Sequence, residues 1–163
     1  MNHTGTQYIE TERLILRRFE RSDAQAMFDN WASDDEVTKY LTWPTHSDVS
    51  VTEQILEDWV SHYSEKEFCQ WAIALKENGP EPIGNISVVG WKDGEVPEIG
   101  YCMGRRWWHR GIMTEALGAV IDFLFDRVGV RRIIAHHDVN NPHSGGVMRK
   151  CGMKFEGIRE KSD

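Results

Sequence analysis

The sequence predicts an α+β fold, a mixed and mostly antiparallel central sheet flanked by helices, and three observations lead there. Three strand-like runs, CQWAIALK, PIGNISVVGW and PEIGYCM, follow one another closely, separated only by ENGPE and KDGEV. Their Asn-Gly and Asp-Gly pairs favour tight hairpin turns, so the three runs read as an antiparallel meander. The segment TEALGAVIDFLFDRVG then changes to helical periodicity, and RRIIAHHDV returns to a strand pattern. A strand reached through such a helix makes a right-handed crossover and lies parallel to the strand before it.

The other elements follow in chain order. In RLILRRF, Leu14 and Leu16 share a face opposite Ile15, which predicts a first strand. Ser22 or Asp23 offers a cap for a helix carrying Ala26, Met27 and Trp31, and DDEVTKYLTWP is expected to hold a short helical turn before Pro44. Ser50 and Glu53 have capping-box spacing, with Ile55, Trp59, Val60 and Tyr63 on one face of the helix that follows. The strongest helix places Leu117, Val120, Ile121 and Leu124 together and stops at Gly129. Asn141 or Ser144 starts one more helix ending near Cys151–Gly152, and KFEGIREKSD begins another strand. Residues 1–8 read as a flexible tail and 9–163 as a single domain, without repeat, low-complexity tract or linker.

Composition bounds the function. A chain of 163 residues is one ordinary domain, and folding it buries roughly 68–70% of the surface that the unfolded chain exposes. No apolar stretch approaches the length of about 20 residues that a membrane span needs. The opening MNHTGTQ lacks the basic start and apolar run of a secretory signal, so a cytoplasmic location is expected. Three widely spaced cysteines, Cys69, Cys102 and Cys151, read as free thiols of a reducing compartment. A net charge of −7 argues against a nucleic-acid partner and mildly favours cationic ones, though plain solubility explains it equally well.

The chemistry concentrates in EIGYCMGRRWWHRGIMTEAL, where a strand runs through a turn holding Arg105, Arg106, Arg110 and Gly111 into the long helix. The first helical turn points unpaired N–H groups and the positive dipole end outward, which suits an anion. The segment has neither the Gly-x-x-x-x-Gly-Lys-[Ser/Thr] of a P-loop nor the Gly-x-Gly-x-x-Gly of a dinucleotide site. On spacing alone, an ordinary structural turn competes evenly with anion binding.

The segment resembles the acetyl-CoA motif of the GNAT superfamily, Gln/Arg-x-x-Gly-x-Gly/Ala, with Trp108-His109-Arg110-Gly111-Ile112-Met113 in its place. Only the central glycine matches, Trp108 and Met113 being departures. The flanking EIGY and GIMTEAL, the opening TERLILR, and NPHSGGVMRKCGMKFEG are similar to the RimJ/RimL-like branch, the ribosomal-protein-alanine N-acetyltransferase group, so the likeness spans nearly the whole chain. It implies the acyl-CoA N-acyltransferase fold, with a parallel strand pair that splays at the coenzyme A site. Tyr101, Cys102 and Met103 would then face the pantetheine arm, His109, Arg110, Gly111, Ile112, Met113 and Thr114 the pyrophosphate, and Asn141 the pantetheine end. The resemblance also implies a C-terminal hairpin that this chain, stopping at Asp163, leaves incomplete. An open edge there invites pairing, so a homodimer is one expected arrangement.

The implied reaction moves acetyl from acetyl-CoA to a primary amine, with a protein N-terminal α-amine as one candidate acceptor, by direct attack in a ternary complex. Glu98 and His136 are alternative general bases; imidazole has the more suitable ordinary pKa, near 6.5. Strand-end hydrogen bonding for Glu98 and partial burial for His136 are equally good readings. The tyrosine that many relatives use as acid falls at Met148, leaving Ser144 as the candidate, whose other role is a helix cap. Cys102 and Cys151 read as packing residues. His136, His137, Asp138 and His143 match no zinc spacing, so no metal is expected. Trp31, Trp43, Trp59, Trp107 and Trp108 line a cleft or fill the core. A CoA or acyl-CoA sensor of the same fold, without turnover, is the rival reading.

Overall fold

The computed structural model describes residues 1–39, 41, 43–135, 142–153 and 158–160. Among the described residues seven strands lie in one sheet in chain order: β1 (Ile9–Glu10), β2 (Leu14–Arg17), β3 (Cys69–Leu75), β4 (Pro82–Lys92), β5 (Val96–Met103), β6 (Arg132–Ala135) and β7 (Ile158–Glu160). Neighbours are antiparallel except β5 and β6, which run parallel with Glu98 opposite Ile134 and Ile99 opposite Ala135. The meander and the parallel crossover therefore form as the sequence predicts. The splay beyond Ala135 lies outside the described residues.

Helices α1 (Ala24–Met27), α2 (Asp35–Thr38) and α3 (Val49–His62) precede β3, α4 (Ile112–Phe123) makes the crossover, and α5 (Pro142–Lys150) follows β6. Two apolar layers cover the two sheet faces. On one, Leu14, Leu16, Trp71, Ile73, Ile86 and Ile99 pack against Ile112, Leu117, Val120, Ile121 and Leu124 of the crossover segment. Each such side chain contributes about 1.5–3 kcal/mol when fully buried. On the other face, Phe19, Met27, Trp31, Leu56 and Tyr63 pack over Ala72.

Local chemistry corrects three expectations. The second helix starts two residues earlier than its capping box suggests, because the Asp48 carboxylate accepts from the Ser50 amide and caps it. The first predicted helix is composite, a 3-10 turn over Arg21–Asp23, then α1, then a wide π turn over Phe28–Ala32. Its entry is fixed by Asp23, which accepts from both Arg17 terminal nitrogens at 2.9 Å and from the Glu20 amide at 2.7 Å. The Asp93–Gly94 turn has the positive φ values, 54° and 73°, that its residues favour. ENGPE instead belongs to a longer connection holding a 3-10 turn over Lys76–Asn78.

Residues 1–8, expected as a tail, dock onto the body. The Asn2 amide donates to Val128 O, the Gly5 amide to Lys66 O, Thr6 Oγ1 to Phe68 O, and Trp71 Nε1 to Gln7 O. Thr6 is buried, so its hydroxyl must find a partner, and the edge of the core supplies one. No helix among the described residues is long and apolar enough to cross a membrane.

Candidate active site

The candidate site forms where β5 ends and α4 begins. The Gly104 amide donates to Ile83 O at 2.9 Å, placing Gly104 in a hydrogen-bonded pair across β4 and β5. Along an antiparallel pair these groups alternate in direction. Met103 and Tyr101 therefore turn their backbone N–H and C=O toward the β6 side, away from β4. The Met103 carbonyl accepts from Trp108 Nε1 at 2.8 Å, which ties the strand end to the loop after it.

That loop is tightly built. Gly104 sits where a Cβ would come within 2.5 Å of Asn30 O and 2.7 Å of the Trp107 ring, so only glycine fits. Trp107 is buried, with the Arg106 guanidinium stacked 4.7 Å from its ring centre. Arg105 Nε meets Asp34, the cap of α2, at 2.6 Å. His109 and Gly111 both have left-handed backbones, φ 63° and 72°, and Gly111 caps α4. These two reversals bring the exposed residues His109–Gly111 around to the first turn of α4. Its leading amides have no intrahelical acceptor.

Of the residues expected to face coenzyme A, the structure brings together Tyr101, Cys102 and Met103 at the end of β5 with His109, Arg110, Gly111, Ile112, Met113 and Thr114 at the head of α4. Ile112 and Met113 bury their side chains in the core, so anything they offer a ligand is backbone. Asn141 and His136 lie outside the described residues. The backbone of Ser144 lies near the start of α5, and its side chain is outside the described set. Met148 is buried in the core beneath that helix.

Glu98 lies half-buried on β5, between Gly90 of β4 and Ile134 of β6. By strand alternation it shares a face with Gly100 and Cys102. Cys102 Sγ donates to Asn85 Oδ1 at 2.9 Å, Asn85 Nδ2 donates to Gln70 Oε1 at 3.1 Å, and the Gln70 carbonyl accepts from Tyr63 Oη. Burial pushes the Cys102 thiol up to about 12, which removes thiolate chemistry at neutral pH and leaves the packing role expected. Trp108, Trp43 and Trp59 pack against the apolar layer on this face, and Trp31 is buried within it. Among the described residues no cluster of His, Cys, Asp and Glu could hold a metal.

Sequence reasoning missed two features. The Gln70–Asn85–Cys102 row had a visible signal, polar residues at buried strand positions. The second, an ion-paired network of Thr11, Arg13 and Glu115 under the loop, joins residues more than 100 positions apart and had none.

Residues 13–154 match the family model described as an acetyltransferase (GNAT) domain. The chain belongs to the GNAT acetyltransferase family. It is 32% identical over 150 residues to the N-acetyltransferase p20 of Bacillus licheniformis, covering 91% of this chain and 83% of the relative. A shorter stretch of 59 residues, 36% of this chain and 30% of the relative, is 34% identical to the ribosomal protein uS5-alanine N-acetyltransferase of Escherichia coli. A GNAT-family acetyltransferase from Bacillus anthracis superposes with a TM-score of 0.80 at 28% identity, over 93% of this chain and 86% of that one. The ribosomal L7/L12 α-N-protein acetyltransferase RimL, solved with coenzyme A, superposes at 0.79 with 20% identity, over 93% and 86%. The chain is thus an N-acetyltransferase of the GNAT fold with RimJ/RimL-type relatives, as its resemblance implied.

Proposed function

We propose that this GNAT enzyme moves acetyl from acetyl-CoA to a primary amine, with a protein N-terminal α-amine as the preferred class of acceptor. The observation that carries the reading is the loop from Met103 to Thr114. Pairing with β4 aims the Met103 amide away from that strand, and the left-handed residues His109 and Gly111 bring the exposed loop to the head of α4. A diphosphate suits such a helix start, where N–H groups and the dipole both favour negative charge. The exposed Arg110 adds a charge-assisted donor.

In this reading the acetyl thioester lies along the end of β5, where the Met103 N–H polarises its carbonyl. The neutral amine attacks the carbonyl carbon, the C–S bond breaks, and acetyl leaves on nitrogen while the thiolate takes a proton. Glu98 or His136 accepts the proton lost by the amine, and Ser144 donates toward sulfur. A protein acceptor is supported by the activities for which the uS5-alanine and L7/L12 enzymes are named and by a net charge of −7, which attracts cationic N-termini.

The test mixes the protein with acetyl-CoA and a panel of amines and N-terminal peptides, following release of free thiol. Amine-dependent release supports transfer. Tight CoA binding without release points to the sensor, a reading that the burial of Met148 at the usual acid position favours. Gly111→Trp should abolish CoA binding, and an unchanged affinity would remove the loop assignment. For the base, Glu98→Gln and His136→Ala are compared by pH–rate profile; if both match wild type, neither acts.

A further inference from the structure

Beneath the loop lies a buttress whose parts come from distant stretches of the chain. Glu115, in the first turn of α4, receives three hydrogen bonds from the turn between β1 and β2. Its Oε2 accepts from Thr11 Oγ1 at 2.5 Å and from the Arg13 amide at 3.0 Å, and its Oε1 accepts from Arg13 Nε at 2.7 Å in an ion pair. Arg13 reaches further: Nη1 donates to the Arg110 carbonyl at 2.9 Å. Its Nη2 stands 3.6 Å from the point where a Cβ on Gly111 would lie. The guanidinium therefore bridges a carboxylate on the helix and the peptide bond between Arg110 and Gly111.

That peptide bond matters because a trans peptide points its N–H opposite to its C=O. With the Arg110 oxygen drawn toward Arg13, the Gly111 N–H is directed away from the β1–β2 turn and out of the loop. The same contact restrains a segment in which the left-handed backbone of His109, a residue with a Cβ, costs conformational energy.

We propose that Arg13, oriented by Glu115 and Thr11, is a positioning residue for the cofactor loop: by holding the Arg110 carbonyl it aims the Gly111 amide at the diphosphate of coenzyme A. The inference rests on the CoA assignment above and extends it to Thr11 and Arg13, 97 or more positions from Arg110 in sequence. The division of labour is specific. Two of the guanidinium's five N–H donors go to Glu115 and to the Arg110 carbonyl, and it is through these two bonds that Arg13 shapes the anion site. Glu115 stays ionised in this role, because the Thr11 and Arg13 donors outweigh the upward push of burial and hold its carboxyl below the usual carboxylate range.

The experiment compares Arg13→Ala, Arg13→Lys and the milder Thr11→Val with wild type in three readouts: thermal midpoint, CoA affinity by calorimetry, and kinetics with acetyl-CoA against S-acetyl-pantetheine, which lacks the diphosphate. Arg13→Ala is expected to weaken CoA binding about tenfold, the scale of one charge-assisted hydrogen bond. KM for acetyl-CoA should rise with kcat little changed, while kcat/KM for S-acetyl-pantetheine stays near wild type. Lysine should not restore affinity, because a single ammonium cannot hold Glu115 and the Arg110 carbonyl in the guanidinium's geometry. If Arg13→Ala does not fold, Thr11→Val should show the same selective loss at a few-fold scale. A folded variant whose CoA affinity stays within twofold overturns the proposal, as does an equal loss for both donors, which would mark general loosening. Failure of the wild-type protein to bind CoA would instead fall on the CoA assignment itself, and the inference would go with it.

Discussion

Substituting Gly84 by alanine gives the sharpest test of how the β5 strand end is held. Gly84 lies opposite Met103, and an added Cβ would stand 2.5 Å from the Cys102 carbonyl oxygen, 2.9 Å from Met103 Cα and 3.0 Å from Met103 Cβ. Ordinary contact begins at 3.4 Å, so the closest approach is short by about 0.9 Å. The obstructing atoms are mostly backbone, and no side-chain rotation relieves them. The two strands must separate at Cys102–Met103, the point proposed to meet the thioester. Overpacking of this kind costs about 1–3 kcal/mol, and fixed neighbours put this site near the upper figure. For a chain of this length, about 3 kcal/mol lowers the melting temperature by about 6–12 °C. A misplacement of about 1 Å at a reacting centre costs about 100-fold in rate. Measured at a temperature where the variant remains folded, kcat/KM with acetyl-CoA should therefore fall about 100-fold. A melting temperature within 2 °C of wild type (about 0.5–1 kcal/mol) together with kcat/KM within about threefold would refute this account of the strand end.

Gly118 is the opposite case: it lies mid-helix in α4 with nothing within 4 Å of where an added methyl would stand, so Gly118→Ala should stabilise the fold by about 0.5–1 kcal/mol in urea unfolding. His46 is buried, with Nδ1 against Thr52 Oγ1, and burial pushes its pKa below the ordinary 6.5. Its contribution to stability is complete above pH 6.5 and is lost as pH falls through the lowered folded value. Wild type should thus lose more stability than His46→Gln between pH 7.5 and pH 5, and parallel losses would count against a neutral buried imidazole. Burial holds the Cys69 and Cys102 thiols up at about 12, so at pH 8 a thiol reagent should label both only after unfolding; fast labelling of either in the native protein would contradict its packing role.

The fold was legible wherever a segment states its own period. The α4 run shows its buried stripe outright, and Asp93–Gly94 and Gly129 adopt the positive φ their residue types suggest. Boundaries set by competition were less so. Asp48 and Ser50 both offer cap chemistry, and the earlier residue prevails because its carboxylate reaches the Ser50 amide. The first helix changes pitch twice, under constraints from Arg17 on a neighbouring strand. Docking of Thr6 on Phe68 and of Arg13 on Glu115 spans 62 and 102 positions, which no local pattern records. The candidate site follows the same rule: the loop from Arg105 to Gly111 is one contiguous segment, while the contacts that shape it are remote.

The sheet divides the interior into two packed layers, and Trp108 packs against both. Such an arrangement lets the two sides vary on separate accounts. Changes among Trp43, Ile55, Trp59 and Phe68 repack the face above Cys102, while the layer that seats α4 beneath the loop keeps its own contacts. Substitutions far apart with no common partner combine additively, so changes confined to one layer are expected to add to, and not depend on, changes confined to the other. Trp108 stands outside that freedom, since it answers to both layers and to the Met103 carbonyl at once.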